Sequence, residues 1–89
     1  DTATDALARL HAAGDSALGD GTRLLGAFRA GGLLVPVWEV PADTSAADHE
    51  GAVADFATRF AAALATTDDL ASEERRARSW LLSRQVTLR

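Results

Sequence analysis

The 89-residue chain contains no cysteine, lysine, tyrosine or methionine. Without cysteine it can form no disulfide bond, no thiolate nucleophile and no cysteine-ligated zinc or iron–sulfur site. Without lysine it cannot contain the Gly-Lys-Ser/Thr element of a phosphate-binding P-loop. Its two histidines, His11 and His49, are too few for a metal site built from several histidines of one chain. We therefore expect no cofactor and no metal ion.

The residues that are present have the composition of an ordinary globular domain. Hydrophobic residues make up 47% and charged residues 25% of the chain, and the formal net charge is −4. An acidic chain is a poor candidate for a nucleic-acid-binding protein. No apolar run approaches the roughly 18 residues of a membrane-spanning helix, and no signal-peptide pattern opens the chain. We expect a cytoplasmic protein without a membrane partner.

Length and the first residue bear on how the chain is organised. A chain of 89 residues is long enough for one small domain with a thin core. It begins at Asp1 rather than at a methionine. We therefore expect residues 1–89 to form a single small domain of a longer protein, with the N-terminal region of that protein among its partners.

Apolar spacing predicts about four helices. The first covers residues 4–13 and the second residues 22–30. In the second helix Leu24, Leu25 and Phe28 form the apolar stripe, and Gly31-Gly32 is interpreted as a left-handed C-terminal cap.

The last two predicted helices have clearer patterns. One runs from Ser45, which forms a capping box with Asp48, to about residue 66. The other begins with a cap at Ser72, and acidic residues in its first turn favour the helix dipole. Their apolar stripes, four residues in the third helix and three in the fourth, are Val53, Phe56, Phe60, Leu64 and Ala77, Trp80, Leu81.

Residues 33–40 (LLVPVWEV) carry the strongest strand signal, because they are dense in β-branched and aromatic residues. Pro36 lacks the N–H that a central strand needs, so we expect an edge strand or a bulge. Both faces of the strand are mostly apolar, and we expect both to be covered. Residues 85–89 (QVTLR) alternate and are predicted to pair with it. The expected fold is α+β and mostly helical, with about four helices around a short two-stranded sheet.

The strand offers one candidate interaction site, formed by Val35, Val37 and Trp38. An apolar edge strand is a template to which another chain can add a strand. The alternative is that the C-terminal strand and the helices of the same chain cover these residues. The sequence leaves both interpretations open.

An arginine cluster offers a second candidate site. Residues 73–89 carry a formal charge of +3, whereas the first 72 carry −7. The cluster is centred on Arg75, Arg76 and Arg78, and it suits an acidic protein partner, a nucleic acid or a phosphorylated ligand. The alternative is a solvated helix face that forms local ion pairs with Glu73 and Glu74.

The two histidines do not predict a catalytic site. His11 lies four residues before Asp15 and close to Ser16, but Gly14 interrupts the helix and no nucleophile-elbow motif is present. We expect His11 to be a surface histidine at a helix end. His49 lacks the second histidine of a helical metal motif. The chain is therefore not expected to be an enzyme.

Three stretches, LVPVW, EERRA and SRQVTLR, carry a family resemblance. Residues 22–89 resemble the C-terminal region of an actinobacterial family of unknown function, whose members are sometimes labelled preprotein-translocase or SecA-related. The resemblance implies the tail of a longer protein, and it carries over no catalytic residue.

We expect a non-catalytic accessory domain that acts through protein association or self-association. In this hypothesis Val35, Val37 and Trp38 form the contact edge, and Arg75, Arg76 and Arg78 form a charged rim. The alternative function is binding of a nucleic acid or phosphorylated ligand at the arginine cluster.

Overall fold

The structure, a computed structural model, describes residues 2–84 and 86–88. Within these residues the chain forms three α-helices, one 3₁₀ turn and three strands. In chain order they are α1 (Thr2–Ala12), β1 (Arg23–Ala30), β2 (Leu33–Glu39), the 3₁₀ turn (Ala46–His49), α2 (Glu50–Ala65), α3 (Ser72–Ser83) and β3 (Val86–Leu88). The predicted α+β class is confirmed, and the predicted number of four helices is slightly too high.

The predicted helix over residues 22–30 is wrong, because this segment is strand β1. Strands β1 and β2 pair antiparallel, and two residues, Gly31 and Gly32, connect them. Both glycines have positive φ, 57° and 82°. A two-residue hairpin turn that follows the twist of the strands requires positive φ at both positions. Gly31-Gly32 therefore closes a hairpin and does not cap a helix.

A β-bulge interrupts the two-residue alternation of side chains along β1. The register with β2 shifts between Leu24 and Gly26, so that Leu25 is the extra residue. As a result Leu24 and Ala27, three residues apart, both lie in the buried core. Gly26 has a φ of +155°, and a Cβ atom at this position would lie 3.2 Å from the Cβ of Arg84. The bulge therefore brings the backbone of β1 close to the chain that leaves α3.

The sheet has the strand order β2-β1-β3. β3 lies parallel to β1, with Phe28 opposite Val86. The prediction that residues 85–89 pair with residues 33–40 is therefore wrong, and Gln85 and Arg89 of that segment lie outside the described residues. The prediction that the strand with Pro36 is an edge strand is confirmed, because β2 has one neighbour within the described sheet.

Helices α2 and α3 begin where carboxylates accept hydrogen bonds from the preceding backbone. Asp48 accepts one from the N–H of Ser45 at 2.8 Å, and Glu74 accepts one from the N–H of Ala71 at 2.7 Å. α3 begins one residue earlier than predicted, since Ala71 rather than Ser72 is the capping residue.

The apolar stripes predicted for these helices are only partly buried. In α2, Phe56 is buried and Phe60 packs against the core, whereas Val53 and Leu64 are exposed. In α3 the predicted stripe holds, because Ala77 and Leu81 are buried and Trp80 packs against them.

The core lies between the three helices and one face of the sheet. Its buried residues come from every helix, from the loop before β1 and from β1 itself: Leu7, Ala8, Leu10, Leu18, Leu24, Ala27, Phe56, Ala77 and Leu81. Leu34 and Trp38 of β2 pack against this cluster. We call the sheet face that carries Leu24, Ala27, Leu34 and Trp38 the inner face. Among the described helices, none combines the length and the apolar character needed to cross a membrane.

Candidate interaction surface

The sheet face opposite the helices carries a group of apolar side chains. In an antiparallel pair, residues in register share a face, and residues two apart in a strand do too. Phe28 is opposite Val35, Ala30 is opposite Leu33, and Val37 follows Val35 by two residues. Since Leu34 and Trp38 face the core, these residues face the other way. We define the outer sheet face by Phe28, Leu33, Val35 and Val37.

The described part of the chain does not bury this face. Leu33 is 70% exposed and Val37 is 37% exposed, and Phe28 and Val35 are partly buried. None of the four belongs to the core cluster or to the hydrophobic residues packed against it. The expectation that both faces of the strand are covered is therefore wrong for the outer face, as far as the described residues extend.

Trp38 lies on the inner face, away from Val35 and Val37. Its ring meets Phe56 of α2 edge-on, with 4.9 Å between ring centroids. Its indole N–H donates a hydrogen bond of 2.6 Å to the backbone oxygen of Ser16. Of the three strand residues predicted as a contact edge, the structure brings Val35 and Val37 together and gives Trp38 a place in the core.

The three predicted rim arginines lie on α3, in the helical layer on the inner side of the sheet. The Nε atom of Arg78 lies 2.8 Å from Oδ1 of Asp5, which joins α3 to α1. Arg75 donates hydrogen bonds to the backbone oxygen of Leu70 and to the Ser72 hydroxyl. Arg76 is exposed. The helical layer and the outer sheet face are on different sides of the sheet.

A polar groove of about 840 Å³ lies between α1, the end of α2, the linker after it and α3. The arginines that line it make contacts within the chain. Arg9 donates to the backbone oxygen of Asp68 and lies 3.5 Å from the Glu74 carboxylate, and the Arg78–Asp5 pair lies in the same groove. Its lining therefore serves to hold the helices and the linker together.

His11 occupies a more buried position than the surface site expected from the sequence. Its ring stacks on Trp80, with 4.4 Å between centroids and 4° between planes. Its Nδ1 lies 2.9 Å from the hydroxyl oxygen of Ser16, which is 6% exposed. The guanidinium of Arg84 lies 4.8 Å from the centroid of the Trp80 ring. The histidine thus links the end of α1 to the following loop and to α3.

This contact between a histidine and a serine was not predicted from the sequence. The five-residue separation crosses the turn at Gly14, and helical spacing gives no guide there. The described contacts of His11 are with Ser16 and Trp80. The same loop is held from α2, because Arg59 donates to the backbone oxygens of Asp15 and Ala17. Together the contacts of His11 and Arg59 hold the loop at residues 15–17 against the helices.

Burial lowers the pKa of His11 below its ordinary value of 6.5. The unfolded chain then binds the histidine proton at a higher pH than the folded chain does. This contribution to stability is complete above about pH 6.5 and is lost as the pH falls through the folded-state pKa. We expect His11→Phe to reduce the loss of unfolding free energy between pH 7.5 and 5.5, as measured by urea titration. An identical pH dependence in both proteins would contradict this prediction.

Among the described residues, no group of three or more histidine, cysteine, aspartate or glutamate side chains is placed to hold a metal ion. Comparison with known families gives a match over residues 1–89. The chain belongs to DUF5926, a family of unknown function. No match was found among curated proteins or among solved structures. Within the described residues, the outer sheet face is the most distinctive surface feature of the DUF5926 chain.

Proposed function

We propose that this chain is a non-catalytic accessory domain that acts through protein association, and that its outer sheet face is the contact surface. The supporting observation is the group of four apolar residues, Phe28, Leu33, Val35 and Val37, on a sheet face that the described core does not use. Contiguous apolar surface of this kind marks interaction sites in soluble proteins.

Part of the outer sheet face remains in water. Transfer of apolar surface out of water contributes roughly 25 cal/mol per Å². Leu33 gains little of this within the described chain, because it is 70% exposed, and Val37 leaves 37% of its surface in water. A partner that covers the face would gain it. Leu33 is therefore the residue of this face with the most to gain from association.

The position of Pro36 favours contact through the face over contact through the edge. β2 is an edge strand, and addition of a further strand needs backbone N–H groups along that edge. Proline removes one N–H from the middle of β2, and proline on edge strands is a known device against edge-to-edge pairing. We therefore assign the association to the side chains of the outer face.

The sequence resemblance also bears on the longer protein to which the domain belongs. As part of the same proposal, the domain belongs to the C-terminal region of a longer cytoplasmic protein of actinobacterial type. The arginine cluster is a weaker candidate for ligand binding, because Arg75 and Arg78 already make contacts within the chain.

Site-specific photo-crosslinking tests the proposal. Benzoylphenylalanine is placed at position 37, on the outer sheet face, in the full-length protein expressed in its own cells. The matched control carries the same group at position 58, an exposed site on α2. We expect a discrete adduct from position 37 and none from position 58. No adduct at position 37, or the same adducts from both positions, would overturn the proposal, provided that circular dichroism shows both variants folded.

A further inference from the structure

We propose that the partner of the outer sheet face is a second copy of this chain, packed face to face across a two-fold axis. This inference rests on the proposed function and names the partner. The charge of the surface and the shape of the sheet support it.

The charges at the outer sheet face cancel. Arg23 and Glu39 are in register at the end of the hairpin away from the turn, and Nε of Arg23 lies 3.1 Å from Oε1 of Glu39. Glu39 shares a face with Val35 and Val37, since residues two apart in a strand point the same way. Both charged side chains are well exposed. The apolar group is thus bordered by one positive and one negative charge.

Charge neutrality matters because a two-fold interface places one surface against an identical surface. A face with net charge would repel its copy, and the chain as a whole carries a charge of −4. The outer sheet face avoids this repulsion. The Arg23 of each copy can also pair with the Glu39 of the other copy, so that the surface is complementary to itself.

The shape of the face also fits a second sheet. Val35 and Val37 are β-branched residues, which pack well on the surface of a sheet. Two sheets that pack face to face lie about 10 Å apart, with their strands aligned within about 30°. The apolar strip from Leu33 to Val37 is about 13 Å long at the usual rise per residue. A strip of this length covers a small area compared with a standard interface, which buries roughly 800 Å² per partner. We therefore expect a weak dimer that depends on concentration.

Sedimentation equilibrium of the 89-residue chain tests this proposal over about 5–500 μM, a range suited to weak complexes. We expect the average mass to rise from that of the 9.3-kDa monomer toward twice that value. Val37→Lys places like charges near each other across the axis and should weaken self-association at least about tenfold. Leu82→Lys is the matched control, because Leu82 is an exposed apolar residue on α3. It should self-associate like the wild type.

Charge reversal gives a second, independent readout. Glu39→Arg alone should weaken self-association, because it leaves two positive charges and no negative charge at the end of each face that carries Arg23. The double variant Arg23→Glu/Glu39→Arg restores the neutral pair and should restore the dimer. Circular dichroism of each variant checks that it is folded.

The outcomes separate this inference from the proposed function. A wild-type chain that stays monomeric at all concentrations overturns the second-copy proposal, while a crosslink from position 37 to a different protein would still support association. A dimer that Leu82→Lys weakens and Val37→Lys leaves intact overturns the assignment of the outer sheet face. Loss of the dimer in Val37→Lys together with rescue by the double charge reversal supports it.

Discussion

Trp38→Ala is expected to lower the free energy of unfolding by about 3–5 kcal/mol, the range for large aromatic residues removed from a core. The substitution removes the edge-on contact with Phe56 and leaves the Ser16 backbone oxygen without its indole donor. The neighbouring Val37→Lys is expected to change the same quantity by less than about 1 kcal/mol, since Val37 points away from the core. A chain of this length has a total stability of only about 4–13 kcal/mol. Trp38→Ala therefore removes a large part of it.

Urea denaturation followed by circular dichroism measures both effects. Trp38→Phe serves as the control, because it keeps an aromatic ring against Phe56 and loses only the indole N–H and part of the volume. We expect its loss to fall between those of the other two variants. Similar losses for Trp38→Ala and Val37→Lys would contradict the assignment of the two faces of β2.

Leu81→Ala is expected to lower the free energy of unfolding by about 2–5 kcal/mol, as for other buried leucines. Leu81 is 2% exposed and belongs to the core cluster that joins α3 to the sheet. The next residue, Leu82, is 43% exposed. Leu82→Ala removes the same atoms from a site in contact with water, and its expected effect is below about 1 kcal/mol.

The comparison of Leu81 with Leu82 is direct because the two substitutions share helix, chemistry and helix propensity. Chemical denaturation of both variants at one pH gives the difference. Equal destabilisation would mean that α3 packs on the sheet in a rotation other than the one described. A larger loss for Leu82→Ala would mean the same.

The elements with unbroken periodicity could be predicted from the sequence. The predicted cap Ser45 precedes the 3₁₀ turn that leads into α2, and α3 begins within one residue of its predicted cap. Both helices bury residues of the predicted stripes, Phe56 and Leu81 among them. β2 was predicted from its β-branched residues, and its edge position from Pro36. In each case one local physical rule determines the outcome.

Strand β1 could not be predicted in this way, because its apolar spacing and the glycine pair after it are each compatible with a helix as well as with a strand. The bulge at Leu25 interrupts the alternation of the strand, and Leu24, Leu25 and Phe28 then have helical spacing although Leu24 and Phe28 lie on opposite faces of the sheet. Two glycines with positive φ suit a helix cap as well as a hairpin turn. The length of the connection distinguishes the two alternatives. The strand pattern of β2 begins directly after Gly31-Gly32, as in a hairpin with a two-residue turn.

The candidate site was predicted in part for the same reasons. Val35 and Val37 followed from alternation within one strand, a local property. Phe28 was missed because it lay in the segment predicted as a helix. The separation of the arginines from the outer sheet face depends on the packing of α3 against α1, which no local pattern encodes.

The central position of β1 has a consequence for the order in which the sheet is completed during synthesis. β1 can form its hairpin with β2 as soon as the next few residues are made, since two residues connect them. Its other edge pairs with β3, which the ribosome adds only after α2 and α3. Until then the N–H and C=O groups on that side of β1 lack their strand partner. A chain that stalls before Val86 therefore presents an open strand edge beside the apolar outer sheet face, and this unfinished state is the one most exposed to aggregation.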